Sequence, residues 1–267
     1  MEQLKRKNII KLSTKPTEQD LTRLNLGQIV YLKGLIYTAR EGVYKKVLEE
    51  DENIPINLPK ISATNFHCSP AAVESDTGSF SIGAVTATAS FRFSKWIGPW
   101  LEKSGAKIIL GKGGMSSKDY KEYFVPNGAI YLTTVGYGTG ALLGRGVRSV
   151  ESIHWKNELG IAQAMWVLKV KDFGPLIVES DHSGNSLFER ENSKIEEKIK
   201  KAYEGTKSPI LKRFGSRGFE LKIAVFSLLS GSAFSLYHWG FGIVDVPKEG
   251  PVGRLESCHV WYCGCSR

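Results

Sequence analysis

The groups in this 267-residue chain best suited to chemistry are cations and hydroxyls placed where apolar runs end. Arg40 follows the β-prone run 30–37 and precedes a helical stretch over 43–50. A strand that turns into a helix at an arginine can offer both the guanidinium and the first helical N–H groups to an anion. Thr88, Ser90 and Arg92 follow the small, hydroxyl-bearing run that starts at Val85. Lys112 and Gly113 follow the strand-like residues 107–110, inside the run Gly111-Lys-Gly-Gly114. A guanidinium grips a carboxylate through two parallel hydrogen bonds. Glycines let backbone N–H groups come close to an anion. Two arginines and a lysine converging on one place suit a substrate with two carboxylates.

Each of these groups also has a plainer reading. An arginine at a helix start commonly serves a surface ion pair. Thr88 and Ser90 suit helix caps as well as catalysis. The Gly-Lys-Gly-Gly run lacks the glycine and hydroxyl spacing of a Walker motif and, alone, reads as a turn. The residues by themselves indicate an anion pocket and name no reaction.

The elements that position these groups alternate between strand and helix, which predicts an α/β chain. Strands are expected over 9–12, 30–37, 107–110, 129–135 and 147–155, with a strand pair at 165–170 and 176–179. Residues 51–60, polar and proline-bearing, read as loop. Ser90 is expected to open a helix whose apolar face is Phe93, Trp96, Ile97, Trp100 and Leu101, spaced three or four apart. Ser116 or Ser117 caps a further helix through Tyr120 and Tyr123. A charge-rich helix over 195–203 closes the domain. In an open sheet of this class the strand ends gather at one edge, which would bring Arg40, Thr88 and Lys112 together.

Composition narrows the function classes. Hydrophobic content of 42% and charged content of 24% suit a globular protein with a buried core. The net charge of +9 favours an anionic partner. Aromatics do not interleave with lysine and arginine, and zinc-finger spacing is absent, so nucleic acid is disfavoured. The four cysteines, Cys68, Cys258, Cys263 and Cys265, are too few and too clustered for a secreted disulfide scaffold. With a charged N-terminal stretch that lacks an apolar signal core, this points to the cytoplasm. Residues 223–244 carry no Asp, Glu, Lys or Arg and are long enough for a bilayer. Their serines, glycines and His238 favour a buried or partner-facing segment instead. The irregular spacing of the last three cysteines, with His259, disfavours a metal site.

Six segments in order carry a resemblance. They are Val30-Tyr-Leu-Lys-Gly-Leu-Ile-Tyr-Thr-Ala-Arg40, Phe66-His-Cys-Ser-Pro70, Thr88-Ala-Ser-Phe-Arg92, Gly111-Lys-Gly-Gly-Met115, Glu158-Leu-Gly160 and Val170-Lys-Asp-Phe-Gly-Pro-Leu-Ile-Val178. Together they resemble the beta subunit, or C-terminal domain, of the iron–sulfur class I fumarases and L-tartrate dehydratases. The resemblance implies a swivelling β/β/α domain over residues 1–200, with 201–267 as a C-terminal extension that has no counterpart in the family. It implies a hydro-lyase subunit that adds water to, or removes it from, a small hydroxy-dicarboxylic acid. The [4Fe-4S] cluster is then expected on a separate alpha subunit, in a heterodimer or heterotetramer, with no metal on this chain. Arg40 and Arg92 would clamp carboxylates, with Ser90 and Gly113 beside them. Lys112 would contact the same substrate, and Thr88 would handle the proton on carbon. The chain departs from the family pattern at Glu41 (usually Asp), Tyr44 (usually His), Thr86-Ala87 (usually Gly-Pro), Ala89 (usually Thr) and Phe93 (usually Met). A different hydroxy-acid substrate fits these changes, and so does a non-catalytic interaction subunit on the same fold.

Overall fold

The computed structural model describes residues 9–136 and 139–205. Readings that fall on the tail, namely the apolar run 223–244 and the cysteines 258, 263 and 265, lie outside them.

Among the described residues, strands and α-helices run in the order β1 (Ile9–Ser13), α1 (Glu18–Thr22), β2 (Ile29–Thr38), α2 (Glu41–Tyr44), α3 (Leu58–Ile61), β3 (Thr64–Phe66), β4 (Cys68–Glu74), β5 (Phe80–Ala87), α4 (Ser94–Ser104), β6 (Ile108–Gly111), α5 (Ser117–Asp119), β7 (Ile130–Thr134), α6 (Thr139–Gly144), β8 (Val147–His154), α7 (Lys156–Gln163), β9 (Met165–Ser180) and α8 (Leu187–Tyr203). The α/β class expected from the alternation is the one observed.

Seven strands form one sheet, and β4 and β5 form a separate hairpin. Strands β1, β2, β3, β6 and β7 pair in parallel, and β9 runs antiparallel to β2, β7 and β8. Because β2 pairs with β9 along its second edge, strands β2, β3, β6, β7 and β9 make a closed circuit. The open sheet assumed from the sequence is therefore corrected to a closed one. The device is β9, a single strand of 16 residues where two were expected. Register shifts along its pairings with β2, β7 and β8 bend it around the core.

Closure does not disturb the gathering of strand ends. Thr38, Phe66 and Leu110 are register partners in turn, and Leu132 continues the row. The four parallel strands thus stop together, and the residues that follow them share one rim.

The interior explains the helices. Phe93, Trp96, Ile97, Trp100 and Leu101 are all buried, as their spacing predicts. Trp100 lies 4.8 Å from the Tyr44 ring, and Phe93 lies edge-on 4.8 Å from His67. Fully burying a side chain of this size contributes roughly 3 kcal/mol. The helix begins later than expected: Ser90–Phe93 is a 3-10 turn and α4 starts at Ser94. Ser116 caps α5 with a full capping box, Asp119 returning its carboxylate to the Ser116 N–H. The loop expected over 51–60 holds α3, capped by Asn57 with proline in its first turn. The last helix, expected from residue 195, begins at Leu187. No helix of the described residues is long and apolar enough to cross a membrane.

Candidate active site

The rim is assembled from three strand ends and the foot of a hairpin. Strand β2 delivers Arg40, which is half-buried. One of its guanidinium nitrogens donates to the Ala162 carbonyl at 3.1 Å. Its buried Nε has no partner among the described residues. Burial and the nearby Arg92 lower its pKa, burial acting most strongly. The nearby Glu41 carboxylate acts in the opposite direction. Arg92, on the 3-10 turn, is about half exposed and stands 4.0 Å from the Glu41 carboxylate.

Strand β3 ends at Phe66, and the hairpin rises from it. Cys68 on β4 pairs with Ala87 on β5, so His67 and Thr88 stand at the two feet. The Thr88 N–H donates to the His67 carbonyl at 2.6 Å. Strand β6 delivers Lys112, and the backbone joins it to the hairpin foot. The Lys112 N–H donates to Thr88 O at 3.1 Å, and the Ser90 N–H donates to Lys112 O at 3.2 Å. Ala89 and Lys112 form a parallel bridge. Thr88 and Lys112, 24 positions apart in sequence by their numbers, are thereby held side by side.

The glycines here are required by contact and by conformation. A Cβ at Gly111 would lie 2.1 Å from Ser90 Oγ and 2.7 Å from the Tyr131 hydroxyl. Gly113 and Gly114 adopt φ values of +80° and +84°, where other residues are strained. At Gly113 a Cβ would meet nothing, so its backbone faces open space.

Ser90 differs from its expected role. It is fully buried, and its hydroxyl is taken by Tyr131 at 2.6 Å and His67 Nδ1 at 2.7 Å. It supports the rim from beneath, and in this arrangement its hydroxyl is not offered to a substrate. His67, which sequence reasoning quoted within a motif without a role, is also fully buried. Its Nε2 lies 2.6 Å from the Tyr44 hydroxyl. Burial, reinforced by Arg40, lowers its pKa to about 3, so the ring is neutral in any ordinary buffer. A histidine flanked by apolar residues just past a strand end was the available signal.

The described residues do not fit an iron–sulfur cluster. Cys68 is their one cysteine, buried, with burial pushing its thiol pKa up. Among the described residues no three His, Cys, Asp or Glu side chains gather as metal ligands.

A family model described as "Fumarase C-terminus" matches residues 1–191. A Methanocaldococcus jannaschii chain named as an L(+)-tartrate dehydratase beta subunit is 35% identical over 188 residues, covering 69% of this chain and 94% of that one. The L(+)-tartrate dehydratase beta subunit of Escherichia coli is 31% identical, covering 69% and 88%. A Geobacillus stearothermophilus protein named as a class I fumarate hydratase is 31% identical over 68% of this chain but only 34% of its own length. The match over most of the chain, with the ordered rim motifs in place, makes this chain a member of the fumarase C-terminus family.

Proposed function

We propose that this chain is the beta subunit of a hydro-lyase of the fumarate hydratase and tartrate dehydratase type. Its substrate is a small hydroxy-dicarboxylic acid, and its site is completed by an alpha subunit. The observation that carries this reading is the backbone bridge that sets Thr88 beside Lys112, on the rim that also bears Arg40 and Arg92.

On this reading Arg40 and Arg92 hold carboxylates. Arg40 brings a half-buried guanidinium whose Nε–H has no partner among the described residues. Lys112 and the open backbone of Gly113 contact the same substrate. The Thr88 hydroxyl moves the proton on the carbon next to a carboxylate. A threonine hydroxyl is a weak base in water, and cations on the same rim favour its ionised form. Ser90 acts from below by holding the bridge. The family resemblance implies a [4Fe-4S] cluster. We assign it to the alpha subunit, as the resemblance implies. We place the complex in the cytoplasm.

The test is anaerobic purification of the untagged native complex with iron and sulfide assayed, followed by L-tartrate dehydration and fumarate hydration assays. The reading expects a stable partner, about four irons per pair, and turnover that Arg92→Ala abolishes while assembly persists. Turnover by the isolated chain, or an iron-free chain without partner, would overturn it. The second outcome favours a non-catalytic interaction subunit, a reading motivated by Ala89 standing where the family has a second threonine.

A further inference from the structure

We propose that His67 is the positioning residue of this rim, and that it sets the spacing between the segments bearing Arg40, Thr88 and Lys112. All four of its polar groups are engaged, by three segments of the chain. Its backbone N–H donates to Leu110 O at 2.7 Å, two residues before Lys112. Its carbonyl accepts from the Thr88 N–H at 2.6 Å. Its Nδ1 meets Ser90 Oγ at 2.7 Å, and the backbone of Ser90 is bonded to Lys112. Its Nε2 meets the Tyr44 hydroxyl at 2.6 Å, and the Tyr44 N–H is bonded to the Arg40 carbonyl at 2.9 Å. The backbone of His67 thus ties Thr88 to the Lys112 strand, and its side chain ties Ser90 to Tyr44.

The hydrogen bonds hold the ring at both nitrogens. Tyr131 donates to Ser90 Oγ at one end of the chain, and Asn65 Nδ2 donates to the Tyr44 oxygen at 2.9 Å at the other. The linked side chains run Tyr131–Ser90–His67–Tyr44–Asn65 beneath the rim. A ring held at both nitrogens within a packed interior cannot rotate, so the feet of the hairpin cannot drift relative to Lys112 or Arg40.

The effect of His67 on turnover rests on the hydro-lyase reading, and its effect on local backbone order does not. The experiment compares His67→Asn, whose amide reaches the Nδ1 position and keeps the Ser90 link, with His67→Gln, which reaches Nε2 and keeps the Tyr44 link. Hydrogen exchange is read on the full chain. In His67→Gln, exchange at residues 88–92 and 112–114 rises about tenfold or more. The core of β7 and β9 stays protected, and His67→Asn shows a smaller rise. In the alpha–beta complex, kcat for L-tartrate or fumarate falls about 100-fold in His67→Gln with KM nearly unchanged. His67→Asn retains roughly ten times more. Unchanged exchange, a rise spread evenly over the sheet, or identical behaviour of the two variants overturns the proposal. Should the histidine variants fail to fold, Ser90→Ala breaks the same link with less change in volume and must give the same local rise. If the wild-type complex turns over neither substrate, the hydro-lyase reading falls, and the exchange pattern alone decides the role of His67.

Discussion

The loop at residues 111–115 rests on two buried polar clusters, one around His67 and one around Glu179. The first joins a ring to Ser90, Tyr44 and, through Ser90, Tyr131. The second joins a carboxyl group to Tyr120 and to Ser186, at 2.6 Å for Ser186. Tyr120 in turn accepts the Met115 N–H at 2.7 Å. The partners of His67 stand on or next to the segments that carry Arg40, Thr88 and Lys112. The partners of Glu179 stand on the capped turn after the loop and at the approach to α8. Burial pushes the two titrations in opposite directions: it lowers His67 to about 3 and raises Glu179 above the ordinary carboxyl value. Burial thus opposes the charged form of both groups. The first cluster spaces the candidate catalytic groups, and the second anchors the loop from outside.

The largest expected effect separates chemistry from support. Thr88→Val removes a hydroxyl at nearly constant shape and leaves the backbone bridge intact. Turnover of the assembled complex should fall by about 100-fold or more, with the thermal midpoint almost unmoved. A fall in stability instead would place Thr88 with the supporting residues.

The next effect is on packing. Gly111→Ala drives a Cβ into Ser90 Oγ and the Tyr131 hydroxyl and should cost about 3 kcal/mol in urea unfolding. Gly114→Ala meets Tyr120 Oη at 3.0 Å and Glu179 at 3.1 Å, at a left-handed φ. It should cost roughly 1–2 kcal/mol, mainly from backbone strain. Equal costs would mean that the two clusters pack equally tightly.

The clusters should also differ in pH response. Between about 3 and the ordinary value of 6.5 the unfolded chain binds a proton at His67 that the folded chain refuses, so stability falls as pH falls. The loss from this group should reach about 2 kcal/mol by pH 5. Urea unfolding of wild type against His67→Gln between pH 7 and 5 measures it as the difference in slope.

Glu179 has the opposite sign. Its folded pKa is raised, so its contribution is complete below the ordinary value of 4.5 and is lost as pH rises through the folded value. Glu179→Gln should abolish that decline, with the smallest effect of the four near pH 4.5. If the variant keeps the wild-type slope, burial does not raise the Glu179 carboxyl.

Much of the rim was legible in the sequence because its carriers are local. Arg40, Thr88 and Lys112 each follow a strand-like run, and the ends of parallel strands in such a sheet gather at one edge. The helix face Phe93, Trp96, Ile97, Trp100 and Leu101 was legible by period alone. The β4–β5 hairpin was less so, since its two strands are mostly small and polar and read as separate fragments. The burial of Ser90 was not legible, because a hydroxyl beside a helix start looks the same whether it faces solvent or a buried histidine.

The sequence by itself determined the strand and helix alternation, the cationic rim and the family, since these depend on residue type and spacing along the chain. Tertiary structure alone decided that β9 closes the sheet, that Thr88 and Lys112 share a backbone bridge, and that His67 is buried, neutral and fully engaged. Each of these depends on partners distant in sequence, and burial, which controls both the hydrogen bonds and the titrations, is a property of the packed interior.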